Sequence, residues 1–237
     1  MAVYAKQYGR LGNNLFQKAA AIGYAMKHGL EYNLSPKIPK SDSIFPISEL
    51  AHNYQELPYH FTLRWDDIVL DGYWQSEKYF SRCREEVLKA FGFPWELKKG
   101  WCSIHVRRGD YLKYPDKHPV VTMDYITKAI ETIVDQAGVG KFLVFSDDLP
   151  WCVANFSHLG YYFYYSESRT PEQDMAYGSC CEHNIISNST FSWWQAYLNQ
   201  NPGKVVISPS KDNWFGPGNK HLDTSDLVPD SWIQIKY

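Results

Sequence analysis

Apolar residues recur along the chain with two periods, one near two residues and one near three and a half, and the order in which they alternate predicts the architecture. Ala2-Val3-Tyr4-Ala5 opens a strand over about 2–6, followed by a glycine-rich turn, Gly9-Arg10-Leu11-Gly12-Asn13. Leu15, Ala19, Ile22 and Met26 then fall on one helical face, a helix running to about His28 with Gly29 as its cap. Residues 30–34 read as a second strand. Residues 35–67, with prolines at 36, 39, 46 and 58, read as irregular. Residues 68–74 read as a further strand, and the helix after it gathers Tyr79, Phe80, Cys83, Val87 and Leu88 on one side.

A boundary falls at 93–100, where Phe93-Pro94 and Lys98-Lys99-Gly100 interrupt the pattern, dividing the chain into 1–98 and 99–237. Beyond it the alternation is regular. Strand 101–106 leads to a loop over 108–121. Helix 122–137 carries Tyr125, Ile126, Ala129, Ile130, Ile133 and Val134 as one stripe. Strand 141–145, a helix at 149–157 and strand 160–165 follow. Thr170-Pro171-Glu172-Gln173 starts a helix, with Thr as cap and Pro in the first turn. Strand 184–187, helix 190–199 and strand 204–207 complete the run. Repeated β-α-β units imply a parallel sheet covered by helices, with ligands at the carboxyl ends of its strands.

Composition narrows the function classes. Net charge is -2 with a pI near 6.4, so a general nucleic-acid binder is disfavoured. The hydrophobic fraction of 44% supplies a core and argues against wholesale disorder. Five cysteines, Cys83, Cys102, Cys152, Cys180 and Cys181, match no zinc spacing and lie mostly in apolar runs, which predicts buried free thiols in a reducing compartment. With no signal peptide and no membrane-spanning apolar run, the expectation is a soluble, cytoplasmic protein. Aromatic residues are abundant, with 9 Trp and 18 Tyr. They suit either stacking on sugar rings or ordinary core packing.

Four polar clusters fall at predicted strand ends, which argues for one cleft. They are Gly9-Arg10-Leu11-Gly12-Asn13-Asn14, His105-Val106-Arg107-Arg108-Gly109-Asp110-Tyr111, Ser146-Asp147-Asp148 and Asn188-Ser189-Thr190-Phe191-Ser192. Guanidinium forks bind phosphate oxygens two at a time, and a Ser-Thr pair opening a helix adds hydroxyls, amides and the positive dipole end. The chain has no Walker A or GxGxxG sequence, so a diphosphate site must be built from these parts. Alternatively, Arg107 and Arg108 form structural salt bridges with Asp110 or Asp147. Asp147-Asp148 could hold Mg²⁺ or Mn²⁺. With arginines on the diphosphate, Asp147 is instead expected to accept from guanine or ribose, and Asp148 to cap a helix.

HVRRGDY resembles the H-x-R-R-x-D motif of α1,2- and α1,6-fucosyltransferases and protein O-fucosyltransferases. Together with GRLGNNLFQ, LDGYWQSEKYF, SDD and SNSTFSWW, in order from residue 9 to about 194, it looks like the α1,2-fucosyltransferases, glycosyltransferase family 11. The resemblance implies an α/β, GT-B-like fold with two Rossmann-like halves around a cleft: an abbreviated acceptor-side half, 1–98, and a donor-binding half, 99–237. It implies an inverting enzyme that takes GDP-β-L-fucose, needs no metal or other cofactor, and acts on a galactose-terminated oligosaccharide. It points to Arg107 on the leaving phosphate and His105 on the nucleoside. Asn13 would approach phosphate or fucose, with Arg10 beside it on the donor. Ser189, Thr190 and Phe191 would touch phosphate, while Arg108 and Asp110 brace the loop. For a general base the sequence offers Asp116 first, then His118, Glu77 and Asp110, or a donor phosphate oxygen. Two rival readings are a non-catalytic sugar-binding module and a metal-dependent phosphoryl-transfer enzyme.

Overall fold

The computed structural model describes residues 2–37, 43–46, 67–168 and 170–237, so most of the stretch read as irregular lies outside the described residues. The chain forms two compact units, Met1–Gly92 with Leu222–Pro229, and Phe93–His221 with Asp230–Tyr237.

The first unit runs β1 (Ala2–Ala5), α1 (Leu11–His28), β2 (Glu31–Tyr32), β3 (Ser43–Pro46), β4 (Ile68–Asp71) and α2 (Arg84–Phe91). Its four strands are all parallel, in the order β2-β1-β4-β3. Val3, Ala5, Ile68 and Leu70 bury against Ala20, Ala21, Tyr24 and Ala25 of α1, whose small side chains let helix and sheet approach closely. Gly29 ends α1 in the left-handed region (φ 66°), its N–H donating to Ala25 O. Met26, expected on the buried face, is exposed. The residues of α1 that meet the sheet are Ala20, Ala21, Tyr24 and Ala25, and at about 100° per residue Met26 falls off that stripe.

β4 stops at Asp71 rather than 74, because its pairing with β1 ends at Leu70 and with β3 at Asp71; Trp74, beyond it, has φ 57°. The helix expected over Tyr79 to Leu88 is two 3-10 turns, Glu77–Tyr79 and Ser81–Cys83, before α2 begins at Arg84. Phe80 and Val87 still reach the core while Cys83 is half-buried. Long-range packing thus overrides the helical spacing in this stretch.

The second unit runs β5 (Lys98–Val106), α3 (Met123–Ala137), β6 (Lys141–Ser146), α4 (Leu149–Phe156), β7 (Tyr162–Tyr165), α5 (Pro171–Ser179), β8 (Cys181–Ile185), α6 (Thr190–Tyr197), β9 (Val206–Pro209) and β10 (Ile233–Ile235). Its sheet, also all parallel, has the order β10-β9-β8-β5-β6-β7. The cap read from the sequence forms as expected, Thr170 accepting from Gln173 N, and Thr122, read as the first helical residue, is the cap of α3 and accepts from Tyr125 N. Cys102, Ile104, Val106, Phe142, Val144 and Ile185 bury on the side of the sheet packed by α3 and α4. Elsewhere in the unit buried amides do the joining. Asn184 Nδ2 donates to Ser103 Oγ (2.7 Å) and Gly178 O (3.0 Å), and Asn199 Nδ2 donates to Asn184 Oδ1 (2.8 Å).

The five cysteines are unpaired, four of them buried. Trp74, Trp193, Trp194 and Trp214 are fully buried, so these aromatics serve packing. Among the described residues no helix is long and apolar enough to cross a membrane.

Candidate functional site

From β5 the chain adds β6 and β7 on one side, then returns to lay β8, β9 and β10 on the other. The order therefore reverses between β5 and β8, and a parallel sheet opens its ligand crevice at the carboxyl ends of such a pair. His105 to Asp110 leave β5 there, and Ser187 to Phe191 leave β8.

His105 is buried. Its Nδ1 lies 3.0 Å from Ser187 Oγ, and its ring packs on Phe191 at 5.0 Å between centroids. Burial, reinforced by the Arg107 charge, lowers its pKa to about 3, so it is neutral at any physiological pH. Arg107 is gripped on two sides: one terminal nitrogen donates to Asp110 Oδ1 (2.5 Å) and the other meets Asp147 Oδ2 (2.8 Å). Of its five N–H donors, two are used in these contacts. Arg108 turns the other way, its Nε donating to Asp148 Oδ2 (3.0 Å) and its guanidinium lying 3.9 Å above the Trp151 ring. Its backbone N–H donates to Asp147 Oδ1 (2.9 Å). Asp148 caps α4 by accepting from Trp151 N, as expected.

Arg107 therefore makes the salt bridges to Asp110 and Asp147 that the sequence left open, while Arg108 pairs with Asp148 instead. Two arginines face three carboxylates, so the cluster is not a bare cationic patch, and its guanidiniums are held in place rather than loose. Gly109 is required by this packing: a Cβ there would lie 3.0 Å from Asp147 Cγ and nearer still to its carboxylate oxygen.

On the β8 side, Ser189 precedes α6 with extended backbone and makes no side-chain cap bond. Tyr111, its phenol pushed up to about 12 chiefly by burial, donates to Asn188 O (3.1 Å) and also meets Ser189. Asn188 Nδ2 in turn donates to Pro119 O (2.8 Å) and Trp214 O (3.0 Å). The loop after the arginines is thereby tied to the start of α6, beside which Thr190 and Phe191 stand half-buried. His118 stacks on Tyr111 at 4.9 Å, and burial lowers its pKa.

The structure thus brings His105, Arg107, Arg108, Asp147, Ser189, Thr190 and Phe191 to one switch point. Asp116 is exposed on the adjoining loop, its carbonyl accepting from Gly218 N (2.9 Å). Asn13 and Arg10 belong to the first unit. Asn13 Oδ1 accepts from Gln75 Nε2 (3.0 Å), and Arg10 stands exposed at the cap position of α1. Sequence reading missed Ser187, whose contact with His105 spans 82 positions and leaves no local signal. Among the described residues no group of three or more His, Cys, Asp or Glu is placed to hold a metal ion.

The chain resembles several known proteins. The chain is 43% identical over 138 residues to the O-antigen biosynthesis glycosyltransferase WbnK of Escherichia coli, covering 56% of this chain and 44% of that protein. It is 29% identical over 182 residues to the alpha-1,2-colitosyltransferase of Escherichia coli, covering 70% and 61%. It is 26% identical over 232 residues to galactoside alpha-(1,2)-fucosyltransferase 1 of Mus musculus, covering 80% and 61%. The chain therefore spans less than two thirds of the length of each. Among solved structures, POFUT1 in complex with GDP aligns with a TM-score of 0.47 at 12% identity, over 87% of this chain and 97% of that chain, too distant a likeness to carry an inference. The model of glycosyl transferase family 11 matches residues 45–232, and the chain belongs to that family.

Proposed function

We propose that the protein is an inverting fucosyltransferase that moves L-fucose from GDP-β-L-fucose to the 2-hydroxyl of a terminal galactose. The observation that carries this reading is Arg107, held by two carboxylates at the β5/β8 switch point beside the start of α6. Family membership narrows the chemistry to glycosyl transfer.

In-line attack at fucose C1 places growing negative charge on the departing β-phosphate. A guanidinium already oriented there stabilises the transition state more than the ground state. Its three remaining N–H donors are available to phosphate oxygens, and Asp147 keeps the fork from swinging. The α6 amides and the Ser189-Thr190 hydroxyls receive the same diphosphate. His105, neutral, offers a ring nitrogen to the nucleoside without adding charge. Asp147, besides orienting Arg107, accepts from guanine or ribose.

Because Arg107 and the start of α6 carry the diphosphate, no divalent metal is required. Asp116 is the first candidate for general base, a donor phosphate oxygen the other. A chain that bound sugars without catalysis would not need the guanidinium fork.

Incubation with GDP-fucose and a panel of galactosides, followed by linkage analysis, tests the reading. Release of GDP with a new α1,2 linkage is expected, and no transfer to any galactoside would overturn it. The 29% identity to a colitosyltransferase favours one second reading, colitose as the transferred sugar. A nucleotide-linked colitose run in the same assay separates the two.

A further inference from the structure

The first unit has a switch point of its own. From β1 the chain lays β2 on one side and re-enters through β3 and β4 on the other, so the order reverses between β1 and β4. Lys6, Gln7 and Tyr8 leave β1 at this point, and Asp71, Gly72 and Tyr73 leave β4. Lys6 N donates to Leu70 O (2.9 Å), which keeps the two strand ends in step.

Asp71 is the centre of the cluster. Its Oδ2 accepts from Lys6 Nζ (2.6 Å) and its Oδ1 from the Tyr8 hydroxyl (2.8 Å). A carboxylate offers about four acceptor positions, so about two remain, on a side chain that is still 24% exposed. The Tyr8 ring is 40% exposed and stands 6.2 Å from the Tyr73 ring, inclined at 46°. An isolated ion pair at a surface contributes little to stability. Stability alone is a weak reason to keep the Tyr8 face open beside it, with Tyr73 partly exposed next to it.

The framework beneath is rigid. Tyr8 N donates to Gln17 Oε1 (2.9 Å), and Gln17 is fully buried, its Nε2 without an acceptor among the described residues. Trp74, next after Tyr73, holds φ 57°, a conformation unfavourable for a bulky residue. Its burial against Tyr79, edge to face at 5.0 Å, holds that turn in place.

We propose that Asp71, Tyr8 and Tyr73 form a hexose-binding site that receives the terminal galactoside of the acceptor. The apolar C–H face of the pyranose lies on the tyrosine rings, two hydroxyls donate to Asp71, and Lys6 donates to a sugar oxygen. A neutral polyol suits the cluster better than an anion, which would meet the Asp71 charge. A small set of fixed polar groups beside aromatic walls is the general form of a site that orients such a ligand. The inference rests on the galactoside reading above.

Saturation-transfer NMR with methyl β-D-galactopyranoside on the full chain tests it without requiring turnover. The wild type should show transfer to the sugar, Tyr73→Phe should keep it, and Asp71→Asn and Tyr73→Ala should lose at least fivefold, while GDP titrates as in the wild type. No signal in the wild type, or an undiminished signal in Asp71→Asn, overturns the site. Asp71→Asn decides the matter should Tyr73→Ala fail to fold. Sugar binding without fucose transfer would count against the proposed function alone. Transfer with an unchanged galactoside KM in Asp71→Asn would count against this site alone.

Discussion

Gly109→Ala tests the active-site reading without replacing a charged group. The backbone at Gly109 lies outside the left-handed region, so the added methyl acts only through its contacts. It would sit 3.0 Å from Asp147 Cγ and closer to Oδ2, which must retreat by about 1 Å to reach ordinary van der Waals distance. Asp147 cannot retreat freely, because Oδ1 holds Arg108 N at 2.9 Å and Oδ2 holds Arg107 at 2.8 Å. Losing one such charge-assisted bond costs about 1–3 kcal/mol of stability. Shifting the Arg107 fork by about 1 Å costs on the order of 100-fold in turnover. The assay is kcat/KM for fucosyl transfer with urea unfolding in parallel. The control is a double-mutant cycle. In an Asp147→Ala background the methyl has nothing to strike, and Gly109→Ala should add under about 0.5 kcal/mol to either measure. Activity within twofold of wild type, or an equal loss in both backgrounds, would refute the claim that Gly109 and Asp147 together aim Arg107.

Three further outcomes are expected. Arg107→Ala should lower kcat by about 100- to 1000-fold, the cost of removing a transition-state donor; near-normal turnover would remove Arg107 from the mechanism. His105 has a folded-state pKa of about 3 against an ordinary 6.5, so its contribution to stability is complete above about pH 6.5 and is lost as pH falls toward 3, at up to about 1.4 kcal/mol per unit. Urea midpoints at pH 7 and pH 4.5 should therefore diverge more in the wild type than in His105→Phe, and equal divergence would contradict burial of a neutral imidazole. Full activity should persist in EDTA, whereas strict Mn²⁺ dependence would reassign Asp147 and Asp148 as metal ligands.

Local sequence determined much of this protein. Helix ends at Gly29, Thr122, Asp148 and Thr170 follow from interactions spanning three or four residues, which a short window contains in full. The stripe along α3 and the alternating units of the second half are legible for the same reason. So are the strand-end motifs, because each is contiguous in the chain. Tertiary structure decided what no window holds. β5 pairs with β8, placing Ser187 against His105 across 82 positions. Asp147 faces Arg107 from the end of a different strand, which settles that the arginine is gripped rather than bare. β10 and the membership of 222–229 in the first unit carried no periodic mark, because three paired residues or a single returning segment are too short to show one. Asp71 reads as the middle of a strand, and only the pairing with β1 and β3 makes it the last residue of β4. Strand order depends on which distant segments bury each other's apolar faces, so the switch points, and the sites they open, belong to the folded chain alone.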